Sequence, residues 1–175
     1  MNSSKRKIAG IFSAVAMVVG LMLLGTSASW AQQKPLKGQL VGAWTLVSVE
    51  VTSKGGTKSP GFGGPNAKGI LILDASGRYA IMTGRPDRPK FKTTVRRDIP
   101  AAEFGEAARE FGASFGTWSV NEADKTLIQK TELSLIPNSA GTEVKYSVSL
   151  SKGELKLVVV RAAGGTTELV YRRAK

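Results

Sequence analysis

The chain of 175 residues contains no cysteine and no histidine. Without cysteine there are no disulfides, so the fold has to stand on its apolar core alone. Without histidine it lacks the commonest general base and the usual transition-metal ligand, and with both residue types missing neither a metal site nor a cofactor is expected. Acidic residues are also scarce, 13 against 25 lysines and arginines, which leaves a formal charge of +12. Such a balance invites a nucleic-acid reading. The distribution argues against it. After the N-terminal segment the cations are scattered singly, except for Arg96-Arg97 and Arg172-Arg173, and no alternation of basic and aromatic residues marks a single-strand platform. The excess suits solubility and attraction to an anionic surface, and no nucleic-acid partner is expected.

What is present begins with a leader. Lys5, Arg6 and Lys7 form a positive start, Ile8 to Leu24 is apolar and uncharged, and Ser29 and Ala31 are small residues placed where a signal peptidase reads. That order predicts a cleaved secretory signal peptide over residues 1–31. The alternative is an uncleaved anchor, because the apolar run approaches the ~20 residues that span a bilayer; only in that form would the chain touch a membrane. No cysteine follows to carry a lipid, and the basic residues lack a paired-arginine form. Residues 32–175, 144 in number, are enough for one domain with a sizeable core. Three of the 25 basic residues and none of the 13 acidic ones leave with the leader, so the remainder carries +9. An exported domain without disulfides suits a bacterial periplasm, or a secreted destination.

From Leu40 onward apolar residues mostly alternate, and turn residues interrupt them at short intervals. Strands are predicted over 41–52, 68–74, 78–84, 114–121, 126–135, 142–150, 154–161 and 166–173. "VKYSVSL" alternates best, with Val144, Tyr146, Val148 and Leu150 on one face. One stretch breaks the period. In "IPAAEFGEAAREFGA" Phe104, Ala107, Ala108 and Phe111 fall at helical spacing and Pro100 suits a first turn, which predicts one short α-helix at about 99–113. The fold class is therefore all-β. Eight consecutive antiparallel strands with short links are best satisfied by a closed up-and-down barrel, since closure leaves no exposed edge; an open sandwich is the alternative.

The glycine-rich "GFGGPNAKGILIL" has a superficial likeness to a phosphate-binding loop. It fails the test. Lys68 precedes the second glycine of the Gly64–Gly69 spacing, Ile70 follows it, and a strand comes where a helix is required. Asn66 stands where a dinucleotide fingerprint needs its third glycine. The stretch is read as a turn at the barrel mouth.

"LVGAWTLVSVE", "GPNAKGILIL", "GRYAIMTGRPDRPKF" and "FGTWSVNEADKTL" resemble the bacterial lipocalin-like domain family, in order from Leu40 to Lys175. The resemblance implies an eight-stranded lipocalin or calycin-like barrel over residues 32–175, a presumed apolar ligand and no settled general activity. It also implies a structural closure by Gly42, Trp44 and Arg173, in which the tryptophan plugs the barrel base and the arginine lies over its ring. Arg172, one residue away, is the competing partner. Two positions depart from the family pattern: Ser139 stands where tryptophan often follows Pro-Asn, and Tyr146 where a basic residue is common.

The leading expectation is an exported, non-catalytic protein that binds or carries a small hydrophobic or amphipathic molecule inside the barrel. Tyr79, Ile81, Thr83, Tyr146 and Val148 alternate onto faces that would line such a site, and Phe115 or Trp118 joins them depending on register. A filled core is the competing arrangement. Arg85 and Arg88, in the "GRPDRPKF" loop, are candidates for a polar head group. Lys130 and Glu132 would be a buried polar pair if their face points inward, and an ordinary solvated pair if it points outward. Two other function classes stay open. One is an isomerase or cyclase using Tyr79, Tyr146 or Glu132 as acid and base; the other is a solid-core interaction or stress module.

Overall fold

The computed structural model describes residues 34–175, and the signal peptide predicted over residues 1–31 lies outside them. A short helix, α1 (Leu36–Leu40), leads into β1 (Gly42–Thr52) and β2 (Lys58–Pro60). Next come β3 (Lys68–Leu73), β4 (Arg78–Gly84), a helix α2 (Ala101–Arg109), β5 (Phe111–Asn121) and β6 (Thr126–Ser134). β7 (Glu143–Ser151), β8 (Glu154–Val160) and β9 (Thr166–Arg173) complete the chain. Neighbours pair antiparallel from β3 through β9, and β1 joins β3 on one side and β9 on the other. The result is a closed eight-stranded antiparallel barrel, with β2 as an extra strand on the upper half of β1.

Three details differ from the sequence prediction. The helix stops at Arg109 because residues 111–113 continue the ladder with β4, where Phe111 faces Gly84 and Ala113 faces Met82. Tertiary pairing overrides the helical spacing there. β2 was not anticipated: Lys58 to Pro60 pair with Glu50 to Thr52, and the ladder continues as Gly61 N–H donates to the Val49 carbonyl at 2.8 Å. α1 was also missed; it is only five residues, and the Glu122 carboxylate from the β5–β6 turn holds its start by accepting from the Leu36 and Lys37 amides, both at 2.8 Å. The glycine-rich stretch is a pair of successive turns, with Gly64 N–H on the Gly61 carbonyl and Ala67 N–H on that of Gly64, and it runs straight into β3.

Two irregularities set which side chains face inward. β1 has a bulge between Leu46 and Ser48, so Trp44, Leu46 and Val49 are all buried although their spacing is not strictly two. A second bulge lies between Phe115 and Gly116 on β5, where β6 carries Glu132 as the extra residue. The core runs through the barrel as Leu40, Trp44, Leu71, Leu73, Leu127, Leu155, Leu157 and Tyr171, each at most 2 % exposed.

The base is closed by the first and last strands. Trp44 faces Arg173 in the β1–β9 register, and the guanidinium lies 4.1 Å from the indole centroid. The Trp44 Nε1–H donates to the Leu40 carbonyl at 2.8 Å, while Arg173 donates to the carbonyls of Val41, at 2.9 Å, and Gln39. Arg172 faces Thr45 instead, with its side chain exposed. Gly42 has φ +133°, and a Cβ there would sit 2.7 Å from Arg173 Nη1. The glycine therefore leaves room for the guanidinium that covers the tryptophan.

Candidate ligand site inside the barrel

Strand alternation, once anchored by the bulges, sends Tyr79, Ile81 and Thr83 of β4 inward, with Val144, Tyr146 and Val148 of β7. On β5 it selects Trp118, which is 4 % exposed and donates from Nε1 to the Asp74 carbonyl at 2.9 Å. Phe115 lies on the outer face, 39 % exposed, with Arg78 over its ring at 6.0 Å. The two aromatics are three residues apart, and because the extra residue of the adjacent bulge is on β6, β5 keeps its alternation and turns them to opposite faces.

Lys130 and Glu132 also lie outside. Lys130 is exposed, and Glu132 forms a bidentate pair with Arg78 on the barrel wall. That guanidinium holds the Glu132 carboxyl below the usual carboxylate range. The inward face of β6 is the other one: Leu127, Gln129 and Thr131 are all buried. Gln129 and Thr131 are the buried polar residues among those described. Sequence reasoning missed both, and missed Tyr171 of β9, which shares the face of Arg173 two residues earlier.

Arg85 and Arg88 stand at the mouth, on the β4–β5 connection, and are tied to residues of that same connection and the start of β5. Arg85 pairs with Asp87 at 3.0 Å and Glu110 at 3.1 Å. Arg88 donates to the carbonyls of Arg85 and Ala107 and stacks over Phe111 at 4.9 Å. A cleft of about 440 Å³ beside them sets Lys90, Lys92 and Arg109 against Glu103, Glu106 and Glu110. Cations and carboxylates are mixed in that lining, where the ion pair formed is Arg85–Glu110, and Phe91 stacks on Phe104 of α2 with centroids 6.1 Å apart. Ser139 lies in the Pro137–Ser139 turn at the same end, where its carbonyl accepts from the Thr142 hydroxyl at 2.7 Å.

Inside, polar atoms gather within an apolar wall. The Tyr79 hydroxyl and Thr131 Oγ1 are 3.0 Å apart, both buried. The route between them crosses Gly116, which faces Tyr79 on one side and Thr131 on the other. Tyr171 is fully buried, yet its hydroxyl has no protein partner among the described residues; the same is true of Gln129 Nε2. Tyr146 sits near both Tyr79 and Tyr171. Burial, then the neighbouring Tyr79, pushes its phenol up to about 12. Burial and then Tyr146 push the Tyr171 phenol higher still. These phenols therefore stay protonated at any physiological pH and act as neutral hydrogen-bonding groups. Among the described residues no three metal-ligating side chains converge.

The shifts have a consequence for stability. A phenol whose folded pKa exceeds its unfolded value of about 10 keeps its proton in the native state while the unfolded chain loses it. Stability is then fully present below about pH 10 and declines as pH rises toward the folded values. For Tyr146 the loss approaches roughly 3 kcal/mol near pH 12. Urea midpoints measured between about pH 8 and about pH 12 should fall with that sign, and fall less steeply in Tyr146→Phe.

A family profile described as the lipocalin-like domain matches residues 41–173. This chain belongs to the lipocalin-like domain family. The match spans the whole barrel, from the residue before β1 to the last residue of β9. Among solved structures this lipocalin-like domain is similar to a redesigned β-barrel, at 13 % identity and TM-score 0.42 over 81 % of this chain and 96 % of that one. It is similar too to the fluorescent protein UnaG, at 12 % identity and TM-score 0.36, covering 78 % and 98 %. Fatty-acid-binding protein 1 of Echinococcus granulosus gives 12 % identity and TM-score 0.37, covering 79 % and 99 %. Comparison with curated proteins finds no match. The barrel topology of the lipocalin-like domain rests on its own strand register.

Proposed function

We propose that this lipocalin-like protein binds a small apolar or amphipathic molecule inside the barrel and works as a non-catalytic carrier, exported to the periplasm or beyond. One observation supports the reading most. The apolar interior encloses buried polar groups, Tyr171 OH and Gln129 Nε2, that no protein atom among the described residues satisfies. Such groups cost about 1–3 kcal/mol each when left unpaired, and folded proteins seldom leave them so. A ligand with complementary atoms would satisfy them. Tyr79, Ile81, Thr83, Trp118, Tyr146 and Val148 supply the wall in this reading, with Gln129, Thr131 and Tyr171 added to the set.

Acid–base chemistry has less support. It needs a phenol beside a carboxylate, and Glu132 is on the outer wall, engaged by Arg78. The leader motif of residues 1–31 is what supports export.

Native mass spectrometry of the protein isolated gently from its own cells tests the carrier reading. The expected result is a bound mass that dissociates on activation. A clean unliganded mass, together with an unchanged melting temperature across a panel of lipids and fatty acids, would replace it with a filled barrel that acts through its surface.

A further inference from the structure

The positive charge of this chain suggests an anionic ligand, but among the described residues the interior carries none of that charge. Arg173 is spent on the base, over Trp44 and on two backbone carbonyls. Arg78 pairs on the outer wall, and Arg85 and Arg88 are held in the mouth loop. The buried polar groups are instead a carboxamide, a threonine hydroxyl and phenols, all neutral. A carboxylate taken out of water costs several kcal/mol, and neutral donors alone offset that poorly. An uncharged carbonyl costs far less to desolvate and uses the same donors.

Resting on the interior-site reading above, we infer that the barrel takes an uncharged amphiphile whose buried end is a carbonyl acceptor, such as an ester, amide or ketone, bound by Tyr171 OH and Gln129 Nε2. Tyr171 belongs to the base half, where it faces Leu46 of β1 and Leu155 of β8. The polar end of the ligand therefore goes in first, and its chain points toward the mouth. Gln129 reaches the same interior from β6, between Trp118 of β5 and Val144 of β7 in the ladder. Tyr79 and Thr131 hydrogen-bond to each other, whereas within the barrel Tyr171 OH and Gln129 Nε2 have no protein partner among the described residues.

Four chain-matched probes separate the possibilities: decanamide, methyl decanoate, sodium decanoate and decane, titrated calorimetrically at neutral pH. The amide and the ester should bind at least about tenfold more tightly than the carboxylate or the alkane. Tyr171→Phe removes one oxygen and keeps the ring, and Gln129→Leu keeps the volume. Each should weaken the amide and ester by about tenfold and leave decane unchanged. A carboxylate that binds more tightly than the amide would overturn the inference while leaving an interior site in place. So would a Tyr171→Phe that weakens all four probes equally. Failure of all four to bind would remove the interior site itself, and the inference with it.

Discussion

Replacing Trp44 by alanine should lower the unfolding free energy by about 4 kcal/mol, read from urea titration. The indole is fully buried and fills the base of the barrel between the first and last strands. Its loss leaves a cavity that the neighbours cannot easily close, because Leu40, Leu71 and Leu73 around the core are themselves fully buried. It also strands the Leu40 carbonyl, which now accepts the Nε1–H, and removes the surface on which the Arg173 guanidinium rests. For a domain whose total stability is about 5–15 kcal/mol, that is roughly a quarter or more of the whole. Arg173→Ala should cost less, about 1–2 kcal/mol, since the cation–π contact is partly exposed to water. Arg172→Ala, on the opposite face, should stay within about 0.5 kcal/mol. Equal effects for the two arginines would show that the closure does not depend on the stacked guanidinium.

Gly116→Ala should cost about 3 kcal/mol and disturb the interior at the same time. A Cβ at this position would lie 2.0 Å from the Lys130 carbonyl oxygen, 2.9 Å from the Glu132 amide nitrogen and 3.0 Å from the Lys130 carbonyl carbon. All three are backbone atoms, so no rotamer change relieves the overlap, and β5 would have to part from β6 beside the bulge. Gly116 also stands between Tyr79 and Thr131 in the cross-strand row, so the Tyr79–Thr131 hydrogen bond would lengthen or break. Gly105→Ala is the matched control. Nothing lies within 4 Å of its Cβ position, and in the interior of α2 alanine should add about 0.5–1 kcal/mol of stability. Urea titration reads both effects, and near-UV circular dichroism reads the tyrosine environment in the first.

The strand pattern was open to reading because an antiparallel barrel imposes a period of two on nearly every segment. "VKYSVSL" has one apolar face and one polar face, and β7 buries the face that its composition indicates. β6 is different. Leu127 and Ile128 are adjacent apolar residues on opposite faces, and beyond them one face carries Gln129 and Thr131 while the other carries Lys130 and Glu132. Neither face is apolar throughout, so hydropathy does not choose between them. The choice is made by partners distant in sequence. Thr131 must face Gly116 and come within reach of Tyr79, and Glu132 is pushed outside as the extra residue of the bulge, where it meets Arg78. Local composition misled at the end of α2 for a related reason: the edge of β4 needed a partner, and residues 111–113 supplied it.

By itself the sequence determined that the fold has neither disulfide nor histidine chemistry, that most of the chain alternates as strands joined by short turns, and that the glycine-rich stretch is no nucleotide loop. These properties are local, fixed by residue type and by spacings of a few positions. Tertiary structure alone decided that Trp118 faces in and Phe115 out, that Lys130 and Glu132 stand on the wall, and that Gln129, Thr131 and Tyr171 form the polar part of the interior. Side chains on a strand change face with every residue, so a single bulge or a one-residue shift of register reverses every assignment beyond it. Only the full circuit of paired strands fixes that count.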